Sequence, residues 1–190
     1  MHDTSLPDPC PGPGRVRITA EPHDLSTLVV PNPVPDWVDD LPPPNDEFTV
    51  GITGVRGDGA AEVRAVCERH GWRLNASGKE WLSIEDEIRR LARSTVNVCW
   101  YTGVRGVAGA SSICLASRRP LIINHSPMLA HVRGLPGVWQ VEDLGKLLRW
   151  ALESWQLYGT GRALAAQNIP YTLSWTTAAA KMIAAWEEAR

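Results

Sequence analysis

The chain has 190 residues, an apolar fraction of 44% and a net charge of −2 from 19 basic and 21 acidic side chains. That is enough apolar material for one packed domain, and the balanced charge excludes an electrostatic case for nucleic acid or an anionic membrane. No apolar run approaches the roughly 20 residues of a membrane helix, and Met1-His2-Asp3 opens no basic-then-apolar leader, so a cytoplasmic protein without a signal peptide is predicted.

Residues 1–46 are set apart by proline: 11 of the 15 prolines lie there, as in Pro7-Asp8-Pro9-Cys10-Pro11 and Pro42-Pro43-Pro44. Proline fixes φ and removes a backbone donor, so this stretch predicts an extended arm draped on the domain. Two short apolar pieces, Val16-Arg17-Ile18 and Leu28-Val29-Val30, can add edge strands. The domain proper is expected over 47–190.

From Phe48 the pattern becomes regular. Phe48-Thr49-Val50-Gly51-Ile52-Thr53 reads as a strand, followed by a glycine turn and a helix from Asp58 to about Arg69 with Val63, Val66 and Cys67 on one face. Trp72 to Asn75 is a short strand. Ser83 and Asp86 form a capping-box pattern for a helix over 84–92, whose Glu85–Arg89 and Asp86–Arg90 pairs are four residues apart. Thr95 to Tyr101 is a strand, Gly103 to Gly109 a loop, and Ser111 to Arg118 a helix. Pro120-Leu121-Ile122-Ile123-Asn124 is a nearly continuous apolar strand, as for one covered on both faces. Val138 to Val141 is the last strand. A helix over 142–155 follows, with Leu144, Leu147, Leu148, Ala151, Leu152 and Trp155 on one stripe. A final helix from about Ser174 turns Ala179, Met182, Ile183 and Trp186 inward. Such alternation predicts an α/β fold, a Rossmann-like three-layer α/β/α arrangement with a parallel sheet of about five to six strands. Ligands in that architecture bind at the carboxyl ends of the strands.

Cys10, Cys67, Cys99 and Cys114 make no C-x-x-C pair, and the last three sit on apolar faces, so they read as reduced, buried thiols. The nine tryptophans are scattered, as core or interface anchors.

Three segments can carry chemistry. Gly51-Ile52-Thr53-Gly54-Val55-Arg56-Gly57-Asp58-Gly59 runs from strand to helix. Its glycines admit a ligand to the backbone and Arg56 adds a charge for phosphate, or the segment is a tight turn that needs small residues. It has neither dinucleotide nor Walker spacing. Tyr101-Thr102-Gly103-Val104-Arg105-Gly106-Val107-Ala108-Gly109-Ala110-Ser111-Ser112 again joins strand to helix. The amides of Gly109, Ala110, Ser111 and Ser112, the two hydroxyls and Arg105 make a diphosphate cradle; the alternative is a loop with a serine cap. In Asn124-His125-Ser126-Pro127-Met128-Leu129-Ala130-His131 the two histidines lack helical zinc spacing, and His125 at a strand's carboxyl end can face a ligand. No metal is predicted, and no nucleophile–base motif appears.

Read in order, Val96 to Tyr101, Gly109 to Ser112, Leu115-Ala116-Ser117-Arg118-Arg119-Pro120-Leu121-Ile122 and Ser126-Pro127-Met128-Leu129-Ala130 resemble the C-terminal, donor-binding domain of a retaining GT-B glycosyltransferase of the group 1, family 4-like kind. That family has a strand ending near a tyrosine, a glycine/serine loop, an A-x-G-R/K-P-V-I turn and often S-P-M-F. Trp81-Leu82-Ser83 is similar to the stretch ahead of the donor loop. Leu28 to Pro35 is similar to the interdomain V-I-P-N-G-V linker, and Tyr171 to Trp175 to the F-S-W before the final helix.

The resemblance implies a nucleotide-diphosphate sugar as ligand, no separate cofactor and no metal. It places Gly51 to Gly57 and Gly109 to Ser112 beside the diphosphate, which Arg56 and Arg105 would stabilise, and the base near Ser77 to Ser83; Gly54, Arg56, Gly57, Ser83, Tyr101, Arg105, Gly109, Ala110, Ser111, Ser112 and His125 are the expected ligand contacts. The family's paired glutamates correspond to Arg105 and Ile113, and its glycine before R-P to Arg118. Only 27 residues precede Leu28, so the resemblance implies that a homodimer mate or partner chain supplies the acceptor side. Two functions are therefore expected: sugar transfer with such a partner, or a non-catalytic nucleotide-binding, nucleotide-sugar-binding or interaction module derived from such a half-domain.

Overall fold

A computed structural model describes residues 18–19, 28–29, 33–53, 58–78, 82–102, 109–158 and 174–188. Strands β1 (Ile18–Thr19) and β2 (Leu28–Val29) come first. Then follow β3 (Thr49–Ile52), α1 (Asp58–His70), β4 (Arg73–Ala76), α2 (Ile84–Ala92) and β5 (Val96–Cys99). The chain continues through α3 (Gly109–Ala116), β6 (Leu121–Ile123), a 3-10 turn (Pro127–Val132), β7 (Val138–Gln140), α4 (Leu144–Tyr158) and α5 (Trp175–Glu188). Strands β3 to β7 form one all-parallel sheet in the order β4-β3-β5-β6-β7. This is the expected Rossmann-like three-layer α/β fold.

Alternation along each strand divides the core. On one face Cys99, Leu121 and Ile123 meet Ile88 and Leu91 of α2 and Cys114, Leu115 and Ala116 of α3. On the other, Val50, Ile52, Val96, Val98 and Ile122 meet Val63 and Cys67 of α1 and Leu144, Leu148 and Ala151 of α4. Both faces are covered, which explains why the strands read as continuous apolar runs. Cys67, Cys99 and Cys114 are free and buried, with Cys99 Sγ and Cys114 Sγ 3.6 Å apart.

The segment 33–46 lies against the α2–α3 face, where Val34 and Val38 are buried. Arg119 holds it there, donating to Pro42 O at 3.1 Å and Ala92 O at 2.7 Å. The two upstream strands do not extend the main sheet: β1 pairs with β2 in a parallel ladder of its own. Helix α5 departs further from the sequence pattern. Only Ala178 is buried, while Ile183 and Trp186 are more than half exposed. Its first turn docks on the arm instead, through the Val34–Ser174 bridge and the Trp37–Trp175 edge contact at 5.8 Å. The charge pairs on α2 also differ. Arg89 bonds Asp40 and Asp86, and Arg90 turns inward to Glu87. Arg118, just past α3, adopts φ 55°, a left-handed conformation that favours glycine. No helix among the described residues is long and apolar enough to cross a membrane.

Candidate functional site

Strand order reverses between β3 and β5. The chain leaving β3 enters α1 on one face of the sheet, and the chain leaving β5 enters α3 on the other. In a doubly wound sheet the crevice at the carboxyl ends of the strands flanking such a reversal is the usual ligand position. Both glycine-bearing segments emerge at this point. Gly54, Arg56, Gly57 and Arg105 lie outside the described residues.

The two described glycines of the first segment are occupied by packing. Gly51 sits in register between Asn75 and Asn97. A Cβ there would fall 2.0 Å from Asn97 Oδ1 and 2.5 Å from Ser94 Oγ. Asn97 is buried and donates to Ser117 Oγ at 2.8 Å, so the missing side chain at 51 makes room for a polar group inside the sheet face. A Cβ on Gly59 would lie 1.6 Å from Trp100 O, so the start of α1 rests directly on the end of β5. Trp100 Nε1 donates to Glu62 Oε2 at 2.7 Å and fastens the same contact.

The second segment is built differently. Tyr101 is half-buried, and loss of solvent, with the Cys99 and Cys114 thiols nearby, pushes its phenol well above the ordinary tyrosine range. Its backbone is held by Asn124, whose Nδ2 donates to Tyr101 O at 2.6 Å and whose Oδ1 accepts from Tyr101 N at 3.4 Å. Asn124 thus extends the β5–β6 ladder with a side chain. The sequence marks it as the end of a strand and the start of the histidine-bearing segment; this bonding role depends on register across two neighbours.

Helix α3 then begins at Gly109, which is exposed and where a Cβ would meet nothing within 4 Å among the described residues. Ala110 is half-buried, and Ser111 and Ser112 are buried. Ser111 Oγ is hydrogen-bonded to His131 Nε2 at 3.0 Å, which joins α3 to the 3-10 turn after β6. That partnership was not foreseen either, although Ser126-Pro127, a cap followed by proline at the first helical position, signals the turn.

His125 is exposed at the end of β6, with Nδ1 2.7 Å from Gln140 Nε2 at the end of β7. An amide nitrogen only donates, so Nδ1 is the acceptor of this contact. Arg133 donates to His125 O and Ser126 O, both at 2.9 Å, and fixes this corner. Ser83 caps α2, with Oγ accepting from Asp86 N at 3.1 Å. The structure therefore gathers Tyr101, Gly109, Ala110 and His125 on the β5–β6 side of the carboxyl edge, while Ser83 stands at the head of α2.

Electrostatics separates the helix starts that share this edge. Each exposes backbone N–H groups and a positive dipole end. The first turn of α2 carries Glu85, Asp86 and Glu87. Asp143 caps α4, accepting from Lys146 N at 2.9 Å, a bond that lowers its carboxyl pKa. The first turn of α3 has no acidic residue and no carboxylate cap among the described residues. Of the α2, α3 and α4 starts, that of α3 repels an anion least. Among the described residues no group of three or more His, Cys, Asp or Glu stands together as metal ligands. Compared with known protein families and with curated proteins, the chain matches no family model and no curated relative.

Proposed function

We propose that the chain binds the diphosphate of a nucleotide or nucleotide sugar at the crevice between β3 and β5, in the manner of the donor half of a GT-B glycosyltransferase. One observation carries this reading: an open, acid-free helix start, α3, stands at the point where strand order reverses. The left-handed backbone at Arg118 supports it further, because that position corresponds to the glycine of the A-x-G-R/K-P turn. The groups at the crevice suit binding: backbone amides, the Tyr101 edge and the His125 ring supply hydrogen bonds to phosphate or sugar oxygens. Sugar transfer would draw its acceptor side from a dimer mate or partner chain. Binding without transfer is the second reading. It is favoured by Ile113, which packs against the α2–α3 core where the resembled pattern has a glutamate.

Titrating uridine, guanosine and adenosine diphosphates while following tryptophan fluorescence and thermal shift tests the proposal. Trp100, at the end of β5, is the expected reporter. A saturable response to at least one diphosphate is the expected outcome; no response to any of the three refutes the site. Arg105→Ala is expected to weaken binding about tenfold, the loss of one charge-assisted contact. Hydrolysis or transfer from the matching nucleotide sugar, assayed on the purified protein alone and in any oligomer it forms, separates the two readings.

A further inference from the structure

We infer that Arg90 is a positioning residue for the crevice, one that fixes how the chain leaves β3 and β4; its link to a ligand rests on the diphosphate reading above. Arg90 lies on α2 and its side chain reaches back toward the carboxyl edge of the sheet. Its guanidinium makes five hydrogen bonds. Nη2 donates to Ile52 O at 2.7 Å and Nη1 to Asn75 O at 2.6 Å and Asn75 Oδ1 at 2.8 Å. Nε and Nη2 donate to the two Glu87 oxygens at 2.8 and 2.6 Å. Asn75 answers by donating to Arg90 O at 2.7 Å and Ser94 Oγ at 2.9 Å. Ile52 is the last residue of β3 and the second of the first glycine segment, and Asn75 is next to last in β4.

The pair is costly. The Arg90 and Glu87 side chains are only 16% and 11% exposed, and a buried ion pair commonly returns less than its desolvation takes. A pair retained for stability alone has apolar substitutes. What those substitutes lack is a planar fork that satisfies two carbonyls on adjacent strands while its own charge is neutralised from the same helix. Glu87 and Asn75 orient the fork, and the fork sets the direction of the β3 exit. Lysine, a point charge with no fixed plane, does not reproduce this.

Hydrogen exchange read by peptide, without ligand, and diphosphate affinity together test the inference on Arg90→Lys and the milder Glu87→Gln. Both are compared with the intact protein well below its unfolding temperature. The expected result is amide exchange about tenfold faster at the β3 exit and the β4 end, the equilibrium factor of a lost charge-assisted bond, with α4 unchanged. Diphosphate affinity should fall by a similar factor in Arg90→Lys. A uniform rise across all peptides, or none in a variant that remains folded, overturns the positioning role. If Arg90→Lys does not fold, Glu87→Gln alone decides on the same criteria. If the intact protein binds no diphosphate, the functional reading fails by itself, and the exchange pattern still decides whether Arg90 holds the exit.

Discussion

The β3–α1 and β5–α3 junctions stand side by side at the same edge of the sheet, and both are marked by glycine. At the first, glycine is a device of the interior. Gly51 admits the Asn97 amide into the sheet face, and Gly59 lets α1 touch the Trp100 carbonyl. At the second, Gly109 has no neighbour among the described residues within 4 Å of where a side chain would begin. One residue type thus serves closure on one side and exposure on the other. Spacing does not distinguish them; what surrounds the missing Cβ does.

Gly59→Ala tests the closed junction most severely. The atom in the way is a backbone oxygen, which cannot rotate aside, so α1 must lift from β5 and weaken the Trp100–Glu62 bond with it. A loss of at least about 3 kcal/mol is expected in urea unfolding, at the upper end for overpacking. A loss below 1 kcal/mol would mean that α1 is not seated on β5. Gly51→Ala is expected to cost about 2 kcal/mol. Here the obstacle is a side chain, but the Asn97 amide can yield only by giving up Ser117. Asn97→Ala in the same chain should recover part of that cost. A strictly additive double variant would show that Gly51 and Asn97 do not share the space.

The fold was legible in the sequence because its signals are local and repeated. The alternation of apolar runs with amphipathic segments located every strand of the main sheet, and Ser83 announced the head of α2. What was missed depends on neighbours distant in sequence. The helical period marks Ile183 and Trp186 as one apolar side of α5, but not what, if anything, that side meets. Arg90 reads as a surface partner of Asp86 until β3 and β4 are known to end beneath it. Asn124 gains its role only when β6 lies beside β5. At the candidate site the edge of the sheet was legible, and so were Tyr101 and His125 as its members. The inward placement of Ser111 and Ser112 was not, because a serine that opens a helix can face either way.

Cys67, further along α1, reports on the same closed packing. An unfolded thiol ionises near 9.0, whereas burial first, and the Glu68 carboxylate second, push Cys67 up to about 11. Below pH 9 the thiol is protonated in both states and contributes no slope. Between pH 9 and about 11 the unfolded chain has lost a proton that the folded chain retains, so stability falls as pH rises through that window. The loss attributable to Cys67 is on the order of 2 kcal/mol at the top of the window. Cys67→Ala should flatten the curve there relative to the parent. Tyr101 and Cys114, both also raised, leave a remaining slope. Parallel curves for parent and variant would mean that α1 is packed less tightly than its contacts with β3 and β5 imply.

Gly109→Asp has the smallest expected effect on the fold and the most direct bearing on the open junction. Space is available at 109, and a carboxylate at a helix start is favourable by about 0.3–1 kcal/mol, so stability should hold or rise slightly. Diphosphate affinity should nonetheless fall by more than tenfold, because the new charge occupies the field that draws the anion. Gly109→Asn, nearly the same shape without the charge, separates the causes. If Asn keeps most of the affinity that Asp removes, the anion is held by the α3 dipole and amides. If both lose it equally, the backbone must approach the ligand more closely than any side chain allows, and Gly109 becomes a contact glycine. If neither changes binding, the ligand lies away from α3, and exposure at the second junction is no better a guide to function than closure at the first.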